Sequence, residues 1–332
     1  MRLLQVNNLK TTFHIEAGHV QAVRGITFHI NKGESIGIVG ESGSGKSVSM
    51  LSIMGLLPDN ASIEADSLIF DGLDLMDIDY KRMRKMQGND IGMIFQDPMT
   101  SLNPLFTIGQ QIMEPIRIHQ KLSKAEAKKK AIEILKLVEI PSPESRLNQY
   151  PHEFSGGMRQ RVMIAIAISC NPKLLIADEP TTALDVTIQA QILDLMNDLK
   201  NKLDTSIVMV THDLGVVAKM CTRVMVMYGG TIVEEGSIRE VFYNPQHPYT
   251  WGLLRSIPKV STGEKRKLIP IPGSPPDLIA PPKGCPFTAR CEHAMKICEQ
   301  RPAQLVHLTE THRASCWLMH PKAPKVQREV SV

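Results

Sequence analysis

The sequence predicts an α/β protein built on a mostly parallel sheet, and three observations carry this prediction. A nearly continuous β-rich run, Ser35 to Val39, is followed by a glycine-rich break and then by apolar residues at helical spacing from Lys46 to Leu57. Two further β-rich runs, Lys173 to Ala177 and Ser206 to Val210, are separated by helical patterns. Strands buried on both faces that alternate with helices are typical of parallel sheets covered by helices.

Three other regions depart from this pattern. Short alternations of apolar and polar residues within residues 1–40 predict antiparallel strands around Leu3–Val6, Val20–Val23 and Ile26–Ile30. Residues from 98 onward are rich in Met, Gln, Lys and Glu, and AEAKKKAIEILKLV is amphipathic at helical spacing, which predicts an inserted helical subdomain. Seven prolines between Pro258 and Pro282 predict an extended linker.

Composition narrows the class of protein. The chain has 332 residues, of which 42% are hydrophobic and 22% charged, and this composition excludes a mainly disordered chain. The net charge of +4 is too small to argue for nucleic-acid binding. The longest apolar stretch, Val162 to Cys170, is about half of the roughly 20 residues that a membrane-spanning helix needs. The N-terminus has no apolar signal segment, so we expect a cytoplasmic chain that reaches a membrane only by docking.

The segment from Gly40 to Ser47, GESGSGKS, fits the pattern G-x-x-x-x-G-K-[ST] between the predicted buried strand and helix. Glycines permit positive φ, so successive N–H groups can turn toward phosphate oxygens, and the helix N-terminus adds positive potential. Lys46 can reach the β- and γ-phosphates, and Ser47 can bind Mg²⁺. An ordinary glycine-rich turn is the alternative. The predicted phosphate-binding residues are Gly40, Ser42, Gly43, Ser44, Gly45, Lys46 and Ser47.

Polar side chains follow the two later β-rich runs. Asp178 and Glu179 end the first of them, at the edge of a sheet where nucleotide sites form. We expect Asp178 to bind Mg²⁺ through water and Glu179 to polarise the water that attacks the γ-phosphate. His212 follows the second run, where contact with the γ-phosphate and the attacking water is expected and a structural histidine is the alternative.

The signature segment (residues 153–161, EFSGGMRQR) places two glycines at the start of a strong helix. A helix that begins with glycines can approach an anion closely. Because the chain already has one phosphate site of its own, a second one is best explained by the nucleotide of a partner chain. A glycine-rich helix start without a ligand is the alternative.

Together these motifs resemble those of ATP-binding cassette (ABC) proteins, since FSGGMRQR is similar to their LSGGQ-type signature. The resemblance covers about residues 1–250 and implies a P-loop NTPase: a RecA-like core with an antiparallel β subdomain and a helical subdomain at about 98–165. The motifs also occur in the family's order: the phosphate loop, Gln96, FSGGM, Asp178-Glu179, Ala183-Leu184-Asp185 and His212.

The resemblance implies that two cassettes face head to tail, each signature closing over the ATP bound to the other. By that likeness Ser155, Gly156 and Gly157 contact the partner's ATP. The residues implied for this chain's own nucleotide and its Mg²⁺ are Lys46, Ser47, Gln96, Asp178, Glu179 and His212.

Further roles follow from the same resemblance. Gln96 would ligate Mg²⁺ and connect to the helical subdomain, which touches the membrane partner. Asp185 would link the two nucleotide sites, and Phe13 would stack on adenine, with a core phenylalanine as the alternative. The sequence has Phe154 and Met158 where the family signature has Leu and Gln, and neither change removes a phosphate donor. Because neither catalytic side chain is replaced, we expect a hydrolysing enzyme, an ATPase.

Four segments, FQDPMTSLNPLFTIGQQI, PHEFSGGMRQRVMIAIA, NPQHPYTWGLLRSIP and GCPFTARCEHAMKIC, carry a finer resemblance. They are similar to segments of the ATPase subunits of dipeptide and oligopeptide importers, and nickel importers share much of the pattern. This resemblance implies a paralogous second ATPase subunit, two transmembrane permease subunits and an extracytoplasmic binding protein, with this chain peripheral on the cytoplasmic face of the membrane. A non-transport ABC ATPase acting on nucleic acid or ribosomes is less favoured, because the chain has one cassette and no long coiled coil.

The implied domains are an ATP-binding domain at 1–250, a proline-rich linker at 251–284 and a small cysteine-rich C-terminal lobe at 285–332. Four thiolates suit a [4Fe–4S] cluster or a tetrahedral Zn²⁺ ion. The family resemblance favours the iron–sulfur cluster, with zinc and then unmetallated thiols as alternatives, and a structural role that pins a lobe with little core. A redox sensor that gates the ATPase is a weaker possibility. The four cysteines, spaced C-x5-C-x6-C-x17-C, are Cys285, Cys291, Cys298 and Cys316.

Overall fold

The computed structural model describes residues 1–182, 184–257 and 270–327. Ala183, part of the predicted linking motif, lies outside the described residues, as do 258–269 of the predicted linker and 328–332 of the predicted lobe. No helix in the described ranges is long and apolar enough to cross a membrane. The chain divides into a first unit (Met1–Arg2, Ile30–Ser35 and Asp77–Val210) and a second unit (Leu3–His29, Ile36–Met76 and Thr211–Val332).

The elements have the following bounds. The strands are β1 Arg2–Ile15, β2 Gly18–Asn31, β3 Ser35–Val39, β4 Ala61–Glu64, β5 Ser67–Phe70, β6 Leu73–Asp74, β7 Ile91–Ile94, β8 Leu174–Asp178, β9 Ser206–Thr211, β10 Arg223–Tyr228, β11 Thr231–Ser237, β12 Val306–His307 and β13 Arg313–Ala314. The α-helices are α1 Lys46–Met54, α2 Tyr80–Met86, α3 Pro98–Ser101, α4 Ile108–Gln120, α5 Lys124–Leu137, α6 Pro143–Arg146, α7 Gly156–Ile168, α8 Val186–Leu203, α9 Leu214–Met220, α10 Ile238–Tyr243, α11 Pro248–Arg255 and α12 Lys296–Gln300.

Parallel strands form the core of the first unit. β8 pairs in parallel with β7, where Ala177 lies opposite Ile94, and with β9, where Asp178 lies opposite Val210. Every residue of these three strands is buried, as expected for strands covered on both faces. The β-rich runs at 173–177 and 206–210 are therefore confirmed as neighbouring strands, and the register brings the ends of β8 and β9 level with each other.

Helices fill the remainder of the first unit between β7 and β8. Residues 98–168, all of them described, contain α3 to α7 and no strand. The predicted amphipathic helix is α5, whose Ala127, Ala131 and Leu135 are fully buried on one face. A reciprocal capping pair, Ser123 and Glu126, starts this helix by satisfying backbone N–H groups that have no partner inside it.

Two sets of strands make up the sheets of the second unit. One has the order β2-β1-β5-β6, and β4 also pairs with β1, antiparallel like β5. β1 and β2 each run for 14 residues, much longer than the predicted short strands. The other set has the order β12-β13-β11-β10-β3, in which β10 is parallel to β3 and antiparallel to β11.

Two buried glutamates on β11 hold the second set of strands to the C-terminal residues. Glu234 is fully buried and accepts hydrogen bonds from the backbone N–H groups of Gln246 (2.7 Å) and His247 (2.9 Å), while His312 Nε2 lies 2.8 Å from its Oε1. Glu235 pairs with Arg223 and with Arg313. Buried carboxylates persist only when paired in this way, so these contacts are structural.

The cysteine-rich segment (residues 285–332), which the structure describes as far as residue 327, does not form there the separate lobe that the sequence predicts. β13 extends the sheet beyond β11, and the ring of Phe287 lies edge-on to that of Tyr228, with centroids 5.2 Å apart. Residues 285–327 contain only short elements, such as the five residues of α12, so this described part lacks a core of its own and shares that of the second unit. The predicted linker also begins too early, because α11 continues to Arg255.

Candidate active site

The phosphate loop (residues 40–47) begins directly after β3 and ends in the first turn of α1, as predicted. Gly43 and Gly45 have φ of +75° and +97°, a region that favours glycine. A Cβ atom on Gly45 would lie 2.5 Å from the carbonyl oxygen of Ala22, so a larger residue does not fit there. The loop therefore has the backbone form that turns N–H groups toward an anion.

Two polar side chains of the phosphate loop are buried. Lys46 is only 5% exposed, and its Nζ donates to the carbonyl oxygens of Gly40 (2.8 Å) and Glu41 (3.0 Å). Ser44 is 4% exposed, and its Oγ has no hydrogen-bond partner among the described residues. A buried hydroxyl without a partner costs free energy, so a bound oxyanion would stabilise this loop.

The predicted catalytic carboxylate belongs to a hydrogen-bonded group in the first unit. Glu179 directly follows β8 with φ of +47°, and its N–H donates to the Val210 carbonyl oxygen at 2.8 Å. Its Oε2 accepts hydrogen bonds from Gln96 Nε2 and from Thr182 Oγ1, both at 3.0 Å. Two donors fix the orientation of the carboxylate, and a carboxylate held in this way can accept a proton from a water molecule beside it.

The structure thus brings Gln96 and Glu179 together, with Asp178 next to Glu179 in the chain, and adds Thr182, which the sequence analysis missed. Thr182 lies three residues after Glu179, and its N–H donates to the Glu179 carbonyl oxygen at 3.2 Å, which closes a turn. A hydroxyl side chain at this spacing is the sequence signal that could have identified Thr182. Asp178 is 7% exposed, as expected for the last residue of a buried strand.

The signature segment presents an open helix start on the first unit. Ser155 caps α7 by accepting from the Met158 N–H at 3.4 Å, and both Ser155 and Gly156 are exposed. A Cβ atom on Gly156 would contact nothing within 4 Å, whereas one on Gly157 would lie 2.9 Å from Ile188 Cγ2. Free N–H groups at an exposed helix start are a suitable anion site for a second molecule.

The remaining predicted site residues lie on a strand or directly beside a strand or helix. Phe13 is partly exposed on β1, opposite Ala61 of β4. His212 directly follows β9. Asp185 caps α8 by accepting from the Ile188 N–H at 2.9 Å. Phe154, one of the two departures in the signature, is 3% exposed and lies below the Arg146 guanidinium, so it acts as a core residue.

Comparison with known proteins places these features in a family. The model of the ABC transporter family matches residues 23–182, and that of the oligopeptide/dipeptide transporter C-terminal region matches residues 233–298. The chain is 56% identical over 327 residues to the oligopeptide transport ATP-binding protein OppD of Bacillus subtilis (strain 168), covering 98% of this chain and 91% of that protein. The chain belongs to the family of oligopeptide and dipeptide ABC transporter ATP-binding subunits.

Other relatives agree with this assignment. The dipeptide transport ATP-binding protein DppD of Lactococcus lactis subsp. cremoris (strain MG1363) is 52% identical over 98% of this chain and 93% of its own length. Among solved structures, a dimeric ATP-binding cassette in a post-hydrolysis state bound to ADP and Pi matches with a TM-score of 0.64 at 30% identity. That match covers 71% of this chain and 99% of the other, and it confirms the ABC cassette fold.

The four clustered cysteines of this ABC ATPase line one small cavity of about 20 Å³. Burial raises the pKa of Cys291 to about 11 and that of Cys316 to about 12, and it also raises the pKa of Cys285. In the part of the chain that is described, no group of three or more His, Cys, Asp or Glu side chains is arranged to hold a metal ion. The predicted metal centre is therefore not confirmed.

His247 lines the same cavity and was not singled out from the sequence. Its Nδ1 accepts the Tyr249 N–H at 3.1 Å, so the proton of the neutral ring sits on Nε2. Nε2 is buried and has no hydrogen-bond partner among the residues described. Desolvation lowers the pKa of His247 to about 3, so the ring stays neutral at physiological pH.

Proposed function

We propose that this chain is an ATP-hydrolysing subunit that couples ATP binding and hydrolysis to the uptake of dipeptides or oligopeptides. The observation that carries the proposal is the preformed phosphate loop around buried Lys46, in a chain whose relatives are named oligopeptide and dipeptide transport ATP-binding proteins. The two cassettes alternate between a closed and a separated state. Each of these states favours one of two conformations of the membrane subunits, and the alternation between them drives transport.

The roles of the site residues form part of this proposal. Lys46, Ser44 and the loop N–H groups bind the phosphates of ATP, and Ser47 and Asp178 hold Mg²⁺. Gln96 holds both Mg²⁺ and the Glu179 carboxylate, and Glu179 is the base that accepts a proton from the attacking water. His212 contacts the γ-phosphate, and Phe13 stacks on adenine.

The proposed partners are a paralogous ATPase subunit, two permease subunits and an extracytoplasmic binding protein. The exposed Ser155 and Gly156 support a second cassette, which would supply the ATP that this helix start contacts. Exposed apolar side chains on the first unit, including Met99, Leu105 (80% exposed) and Phe106, support docking to a permease. This docking would place the chain peripherally on the cytoplasmic face of the membrane.

Uptake measurements in cells that lack the chain test the cargo. We expect loss of labelled dipeptide or oligopeptide uptake, restored by the wild-type chain and not by Lys46→Ala. Loss of nickel uptake alone would favour the nickel alternative. Co-purification with ribosomes or DNA instead of membrane subunits would contradict the transport role.

We also propose that the four clustered cysteines hold a metal centre, with a [4Fe–4S] cluster favoured by family resemblance and Zn²⁺ as the alternative. Support comes from the cavity that all four cysteines line and from the buried, unpartnered Nε2 of His247 beside them. Such a centre would cross-link the segment that carries α12 and β13 and would require deprotonation of the raised-pKa thiols.

Metal analysis of chain purified without oxygen tests this centre. We expect about four iron and four sulfide per chain, or about one zinc, since these are the stoichiometries of the two sites. Cys291→Ser is expected to lose the metal, whereas Cys221→Ser, which changes a buried cysteine outside the cavity, should retain it. Metal-free wild-type chain that remains folded and active would contradict the proposal.

A further inference from the structure

A single arginine beside the clustered cysteines holds the phosphate loop. Arg290 precedes Cys291, and its guanidinium donates to both carboxylate oxygens of Glu41, from Nη2 to Oε1 at 2.9 Å and from Nη1 to Oε2. Glu41 is the second residue of the phosphate loop and lies 249 positions earlier in the chain. The contact is a bidentate ion pair, the arrangement in which a guanidinium fixes a carboxylate most firmly.

All five N–H groups of this guanidinium have acceptors. In addition to Glu41, Nη1 donates to the Tyr228 hydroxyl (3.1 Å), Nη2 to the Ile271 carbonyl oxygen (3.1 Å) and Nε to the Pro272 carbonyl oxygen (2.8 Å). The Arg290 side chain is only 4% exposed. A side chain with every donor satisfied and little exposure has one orientation, so it presents a fixed positive charge to the loop.

Glu41 is held at its backbone as well as at its side chain. Its N–H donates to the hydroxyl of Tyr249 at 2.8 Å, and Tyr249 is fully buried on α11. Its carbonyl oxygen accepts from Lys46 Nζ at 3.0 Å. Residues from the C-terminal half of the second unit therefore fix the start of the loop before any nucleotide is bound.

The charge of Glu41 gives this contact a consequence for binding. A carboxylate in a loop that receives a triphosphate repels the ligand unless another charge neutralises it. Arg290 supplies that charge from outside the loop. Lys46 is then not required to neutralise Glu41 and can interact with the phosphates.

We propose that Arg290 is a positioning residue for nucleotide binding, which holds and neutralises Glu41 so that the phosphate loop is ready for ATP. This inference rests on the proposed ATP-binding role of the loop. It assigns the C-terminal segment a part in ATP affinity, in addition to any structural role of the cysteines.

Equilibrium ATP binding and steady-state hydrolysis of full-length variants test the inference. Arg290→Met should raise the Kd and KM for ATP about tenfold, the effect of losing a charge-assisted hydrogen-bonded pair, with kcat changed less than about threefold. Arg290→Lys keeps the positive charge but loses the bidentate geometry of the guanidinium, so its Kd should lie between those of the wild type and Arg290→Met. Arg301→Met, which removes a guanidinium stacked on Trp317 in the same segment, is the matched control and should leave the Kd unchanged.

The double variant Arg290→Met/Glu41→Gln separates neutralisation of the Glu41 charge from a merely structural effect of losing Arg290. Because it removes the carboxylate that Arg290→Met leaves unpaired, its Kd should return to within about threefold of wild type. A Kd at least as high as that of Arg290→Met alone, or a wild-type Kd in Arg290→Met, would overturn the inference. If ATP fails to bind the wild-type chain, or Lys46→Ala leaves binding unchanged, the proposed function fails instead.

Discussion

Replacing Glu179 with glutamine is expected to slow ATP hydrolysis by about 10²- to 10⁴-fold, the usual contribution of a general base. The amide cannot take a proton from the attacking water, but its oxygen can still accept the hydrogen bonds that Gln96 and Thr182 donate to the carboxylate. Binding of ATP, measured at equilibrium in the presence of Mg²⁺, should therefore change by less than about threefold. Phosphate release from the assembled transporter measures the loss of turnover.

Glu144→Gln serves as the matched control for this variant. Glu144 is a 59% exposed member of a surface ion pair with Lys136, so its neutralisation should leave hydrolysis at the wild-type rate. Hydrolysis by Glu179→Gln at more than about a tenth of the wild-type rate would show that another group is the base.

A negative charge at the start of α7 is expected to abolish hydrolysis by a different route. Gly156→Asp adds a side chain whose Cβ atom would have no neighbouring atom within 4 Å. Its carboxylate would be stabilised by the positive end of the helix dipole. The fold should be unaffected, and the chain's own ATP should bind with an unchanged Kd. The γ-phosphate on a partner cassette would be repelled, so turnover at that site should fall at least about a hundredfold, as when one anion-stabilising group is lost.

Gly156→Ala separates the effect of charge from that of bulk. The methyl group also enters open space, so this variant should retain much more activity than Gly156→Asp. Thermal unfolding of both variants should match wild type. Equal losses of activity in the two variants would mean that side-chain bulk and not charge prevents closure. Wild-type turnover in Gly156→Asp would show that the signature segment does not contribute to the nucleotide site.

Local sequence patterns were sufficient for the parts of the fold and site formed by contiguous residues. The strand at Ser35–Val39 has the predicted bounds, and the helix after the loop begins at Lys46 as predicted but ends at Met54, before the predicted Leu57. Gln96 was singled out only by the family resemblance, and the structure shows that the pairing of β7 with β8 brings it within hydrogen-bonding distance of Glu179. In these cases one strand register determines which side chains meet.

Contacts between distant residues could not be predicted in the same way. Glu234 and Glu235 are buried on β11, although charged residues ordinarily indicate an exposed face, because their partners come from far along the chain. The pairing of Arg290 with Glu41 likewise has no local signal. The cysteine-rich segment was predicted as a lobe because its proline-rich flank suggested separation, whereas its buried Phe287 contacts the Tyr228 ring.

The central claim is that the chain hydrolyses ATP only when a partner cassette and this chain complete each other's sites. The most direct test measures the rate of ATP hydrolysis per chain as a function of the partner concentration. We expect the rate of the purified chain to rise at least about tenfold as partner ATPase and permease are added, and Gly156→Asp to suppress that rise. A full rate in the isolated chain, independent of its concentration and unaffected by Gly156→Asp, would contradict the account.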